Sequence, residues 1–104
     1  MGSKYHSIRT WSELCQRQFD SKAECVRGEE LALLARVGEI SDLRYQVKFI
    51  LSNVPKKRTI TIDFSYIEDG IRKFEDFKGY MTRDFQTKLL WLKQLLGIDV
   101  ILTK

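Results

Sequence analysis

A chain of 104 residues, 43% hydrophobic and 31% charged, has the size and balance of one soluble domain built around one core. Its formal charge of +4 mildly favours a polyanionic partner. One histidine (His6) and two cysteines (Cys15 and Cys25) argue against a His/Cys zinc site, a disulfide framework and a Ser-His-Asp triad.

No linker, repeat or low-complexity tract divides the chain, so a single domain over 1–104 is expected. No secretory leader is legible, and no apolar run is long enough for a membrane span, so the expected compartment is a reducing cytoplasm.

Residues 1–19 carry no regular period. Trp11, Leu14 and Phe19 fit a short strand, a helical turn or a docked arm. Ser21-Lys22-Ala23-Glu24 then has the pattern of a capping box, with Asp20 or Ser21 as the N-cap. Ala23, Val26, Leu33, Leu34 and Val37 follow, and Gly38 stands where a helix end wants positive φ. The spacing predicts a helix over 21–37. Gly28 inside it costs helix stability and suggests the close approach of another backbone.

Leu43, Tyr45, Val47, Phe49 and Leu51 alternate with Arg44, Gln46, Lys48 and Ile50, which predicts a strand over 43–51 with one apolar face. Asn53 and Pro55 punctuate a turn over 52–57. A β-branched run predicts a second strand over 59–67. Asp69-Gly70 signals a two-residue type I′ turn, and a third strand runs from 71 to 78. The period then changes. Phe85, Leu89, Leu92 and Leu96 recur at helical spacing, with Thr82 as cap, Asp84 in the first turn and Gly97 at the end. Residues 98–102 read as a last strand. The order α-β-β-β-α-β predicts an α/β domain. Its closing strand–helix–strand crossover allows a parallel pair, so a mixed central sheet with helices on both faces is expected.

The hairpin carries the chemistry. A two-residue turn at Asp69-Gly70 pairs Glu68 with Ile71 and sets Asp63 directly opposite Asp76. Lys78, two residues beyond Asp76, points to the same face. Like charges placed directly opposite destabilise a sheet, and a divalent cation would turn that repulsion into attraction. Ile60, Ile62, Phe64, Tyr66, Ile71 and Phe77 fall together on the other face, as a core would require. Glu75 falls on that apolar face and Phe74 on the acidic one. A bulge near 74–75, or a helix covering each side, would accommodate them. By spacing alone, a solvated salt-bridge cluster is the plainer reading of the two acids and the lysine. Lys56, Lys57 and Arg58 form a short basic cluster that reads equally as a solvated loop or as phosphate contacts.

An ordered set of motifs adds to this. Phe19-Asp20-Ser21-Lys22-Ala23-Glu24, Gly38-Glu39-Ile40 with Leu43, Gln46-Val47-Lys48-Phe49, Asp63-Phe64-Ser65-Tyr66, Glu75-Asp76-Phe77-Lys78-Gly79, and then Thr82 and Lys88 resemble a family of small phage and prophage proteins. That family is classed as a domain of unknown function and assigned to the PD-(D/E)XK nuclease superfamily. The resemblance implies a restriction-endonuclease-like fold and a Mg²⁺- or Mn²⁺-dependent DNA endonuclease in a bacterial host cell. Branched or recombination DNA would be its substrate by analogy alone. In this reading Asp63 is the central metal ligand, Asp76 a second, and the Phe77 carbonyl a third. Lys78 orients or deprotonates the attacking water and steadies the phosphate charge. Glu24 completes the acidic pocket directly or through water, or else serves only its helix cap. Gln46, with Lys48, and Lys88 would face the site or DNA, or stay solvated. A protein this small offers little surface for reading sequence, so a homodimer would help, with Trp91 and Tyr80 as candidate exposed anchors, although core packing is the plainer fate of Trp91. The alternative is a non-catalytic nucleic-acid-binding phage accessory protein that keeps the fold without turnover.

Overall fold

Two short strands precede the first helix in the computed structural model, which describes residues 8–104; His6 lies outside them. β1 (Thr10–Ser12) and β2 (Arg17–Phe19) pair antiparallel. Three-residue strands are too short to display a period of two, which is why no strand is legible there. Phe19 leaves this hairpin buried and packs its ring against α1 (Lys22–Arg36) at Gly28. A Cβ at Gly28 would lie 2.5 Å from Phe19 Cζ. A side chain, not the expected backbone, is what needs the glycine.

α1 begins where the capping pattern puts it. Ser21 Oγ accepts the Glu24 N–H at 3.1 Å. At the other end Gly38 has φ 83°, and the N–H groups of Gly38 and Glu39 reach the Ala35 and Leu34 carbonyls. α2 (Arg83–Leu96) is capped likewise by Thr82 and ends at Gly97, φ 69°.

The main sheet holds β3 (Ser41–Ser52), β4 (Arg58–Glu68), β5 (Ile71–Phe77) and β6 (Val100–Thr103), in that spatial order. The first three are antiparallel neighbours, and β5 pairs parallel with β6. α2 is the crossover that a parallel pair requires. Asp69 and Gly70 both have positive φ (54° and 76°), as a type I′ turn needs. The fold is mixed α/β with a four-stranded mixed sheet and two helices; a small hairpin precedes the expected order. No helix among the described residues is long and apolar enough to cross a membrane.

The expectation of one apolar hairpin face fails. Phe64 and Tyr66 pack with Phe19, Leu31 and Tyr45 in the cluster under α1. Ile60 and Ile62 pack instead with Leu92, Phe49 and Phe74 in the cluster under α2. Ile71 is exposed and Phe77 half-buried. The covered face therefore changes between Ile62 and Phe64, at Asp63. The matching position on β3, Gln46, has φ 52°, and the register is the same on both sides of it. The hairpin is turned over at this step without losing its pairing. Each helix covers its own half, which accounts for Glu75 facing α1 while Phe74 packs toward α2.

Candidate metal centre

The β4–β5 ladder runs in the expected register from Glu68–Ile71 to Phe64–Glu75. Beyond that pair the side chains of two aspartates replace backbone partners. Asp76 Oδ1 accepts the Asp63 amide at 2.9 Å, and Asp63 Oδ2 accepts the Phe77 amide at 2.9 Å. β5 meanwhile continues its pairing on the other side, where Asp76 and Phe77 face Leu102 and Thr103. The two carboxylates thus sit where the strands part, at the step where the covered face changes.

Asp63 is half-buried, and its neighbours are more enclosed. Asp76 is fully buried and Glu24, from the first turn of α1, is 6% exposed. Burial first, and then the charges of Asp63, Asp20 and Asp76, push the Glu24 carboxyl up to about 7. Burial and the Asp76 charge likewise raise Asp63 to about 6, against the pull of the Phe77 amide and the Gln46 amide. Gln46 Nε2 donates to Asp63 Oδ1 at 3.3 Å. Lys78 Nζ lies 3.3 Å from Asp76 Oδ2 and 4.1 Å from the centre of the Phe85 ring. That interaction with Asp76 is an ion pair without hydrogen-bond alignment, and Asp76 Oδ2 is buried with no hydrogen-bond partner.

The donor set is all oxygen, the type that hard divalent cations take. The orphaned Asp76 oxygen and the mutual repulsion of Glu24, Asp63 and Asp76 fit a divalent cation. The closure of the set is looser. Among the described residues no group of three or more His, Cys, Asp or Glu is arranged to hold a metal ion. Two acids meet, and the third stands off on α1.

A family model described as "Protein of unknown function (DUF1064)" matches residues 3–95. The chain belongs to the DUF1064 family. No curated protein matches it.

In this DUF1064 chain the other expected site residues are scattered. Gln46 joins the acids, and Lys48 is exposed two residues further along β3. Lys56, Lys57 and Arg58 are exposed at the far end of the β3–β4 hairpin. Lys88 is paired with Asp84 one turn away on α2 at 3.3 Å. Trp91 is half-buried in the α2 cluster and Tyr80 is 54% exposed.

Sequence reasoning missed the groups beside the acids. Glu75, 1% exposed, receives Arg27 Nε at 2.6 Å and Nη2 at 2.9 Å, and the Tyr66 hydroxyl at 2.8 Å. The Glu75 bond raises Arg27 above its ordinary range. Burial and then Glu75 hold the Tyr66 phenol up at about 12, so it stays a donor. The signal was an acid on an apolar face, which must be met by a donor from the covering element.

Proposed function

We propose that this chain is a Mg²⁺- or Mn²⁺-dependent DNA endonuclease with a restriction-endonuclease-like arrangement. The carrying observation is the meeting of half-buried Asp63 and buried Asp76 where β4 and β5 part, with Lys78 against the orphaned Asp76 oxygen. Asp63 and Asp76 would hold the cation, with the Phe77 carbonyl beside them. Glu24 would complete the set, directly or through one of the waters that such a cation keeps. When bound, the ion would supply an activated water and neutralise phosphate charge. The protein's own groups do the rest. The Phe77 amide fixes one Asp63 oxygen and Gln46 steadies the other. Lys78, held over Phe85, presents its ammonium where water and phosphate would meet the acids. Phage origin, branched substrates and action as a homodimer rest on the resemblance or on size alone.

The test is nicking of plasmid and branched DNA with Mg²⁺ or Mn²⁺. Wild type is expected to cut, and Asp63→Ala and Lys78→Ala to lose at least about 100-fold, on the scale of lost preorganised electrostatic groups. A second reading has its own support. The Lys78–Asp76 pair already neutralises one acid, and no three-acid group among the described residues is arranged for an ion. Those features suit a non-catalytic nucleic-acid-binding module. Cleavage absent on every substrate, or unchanged by both substitutions, would favour that module.

A further inference from the structure

Glu24 and Arg27 lie three residues apart on α1, so they share a face of the helix. Glu75 and Asp76 are consecutive on β5, and Glu75 forms the last ladder pair before the strands part. α1 packs chiefly on β1, β2 and β3. It is also tied to β5 by the two-pronged bond from Arg27 to Glu75 at 2.6 and 2.9 Å, which the Tyr66 hydroxyl completes. The planar guanidinium fork fixes direction as well as distance. A helix carrying one acid is thereby braced against the strand carrying another, three residues from Glu24 and one from Asp76.

We propose that Arg27, Glu75 and Tyr66 are positioning residues. They act as a strut that sets how far Glu24 stands from Asp63 and Asp76, and so which divalent cation the centre accepts. The inference rests on the metal-centre reading. Mg²⁺ and Mn²⁺ need a small octahedral shell, whereas Ca²⁺ tolerates longer and more variable distances. A braced Glu24 favours the small cations. A loosened one gives up that preference before it gives up cation binding. Groups that orient metal ligands typically change affinity about 10–100-fold when replaced.

The test is calorimetric titration of the intact protein with Mn²⁺ and with Ca²⁺, without DNA. The variants are Arg27→Lys, Tyr66→Phe and the double replacement Arg27→Met with Glu75→Met. The double variant removes both charges together, so no lone buried charge threatens folding. Thermal melts confirm that each variant is folded. The expected result is a Mn²⁺ affinity about tenfold or more below wild type in the double variant, with a smaller loss for Ca²⁺. Arg27→Lys should fall between, because a lysine keeps charge but not the fork. A purely structural tie would shift the melting temperature and leave the Mn²⁺-to-Ca²⁺ ratio alone. A folded double variant with the wild-type ratio overturns the strut, and so does a wild type that binds neither ion. A ratio that shifts while no DNA is ever cut leaves the strut standing and removes only the nuclease reading.

Discussion

Asp76 takes the backbone amide of Asp63 out of the β-ladder. Its Oδ1 accepts that N–H at 2.9 Å, and Asp63 returns the exchange through the Phe77 amide. The carboxylates therefore have a structural duty as well as a charge, and substitutions can separate the two. Asp76→Ala strands a buried donor and should cost about 1–3 kcal/mol. Asp76→Asn can keep an acceptor for the amide while removing one of the repelling charges. It gives up the Lys78 ion pair as well, so without metal it should be less destabilised than the alanine variant rather than neutral, and it should bind Mn²⁺ far more weakly. Urea unfolding of both variants checks this. Equal destabilisation by both would show that the charge, not the hydrogen bond, holds the parted strands.

Glu24 and Asp63 have folded pKa values of about 7 and about 6, both raised above ordinary carboxylates by burial and neighbouring acids. A carboxyl raised on folding favours the folded state when protonated, and that favour is lost as pH climbs through the folded value. Metal-free protein should therefore lose stability as pH rises from about 4, the ordinary carboxylate range, to about 7. Glu24→Gln should flatten the curve most. Saturating Mn²⁺ should reverse the slope at the alkaline end, because the ion binds the ionised acids. Melting curves across that range, with and without Mn²⁺, are the measurement. A flat metal-free profile would mean that the acids are better solvated than their burial implies.

The facing of Asp63 and Asp76 was legible because turn chemistry fixes register. Asp69-Gly70 admits a tight turn, and every pair up to Phe64–Glu75 follows from it. Both helices were legible from Ser21, Thr82, Gly38 and Gly97. The change of face at Gln46 was not. Exposure on β3 alternates straight through residue 46, with Arg44, Gln46, Lys48 and Ile50 all outward. Periodicity reports that one side of a strand is covered, but not which layer covers it. The Arg27–Glu75 bond was hidden for another reason. It joins residues 48 apart in sequence, and only the misplaced acid hinted at it.

Gly28 sets up a third expectation. Alanine there would gain about 1 kcal/mol of helix propensity. Its Cβ would also stand 2.5 Å from Phe19 Cζ, in a ring set hemmed by Tyr45 and Phe64. Overpacking of that kind costs about 1–3 kcal/mol, so the net change should be destabilising. Pairing it with Phe19→Leu should recover much of the loss, because the shorter side chain vacates the space that the new methyl needs. Thermal unfolding of the two single variants and the double variant measures the coupling. A Gly28→Ala protein more stable than wild type would show that β2 shifts freely on α1.

The basic residues make a fourth. Lys56, Lys57 and Arg58 stand exposed at the hairpin end, whereas the Lys88 ammonium is engaged by Asp84. If DNA lies along the hairpin toward Asp63, replacing those three by glutamine removes cations that displace counterions from the phosphates. Each neutralised phosphate that is given up lowers the slope of log affinity against log salt by about 0.9. The triple variant should thus shed a slope of about 2–3, and Lys88→Gln much less. Anisotropy titrations of a labelled duplex in EDTA, at several salt concentrations, read this without turnover. The reverse ranking would move the DNA path off the hairpin and onto the α2 side of the centre.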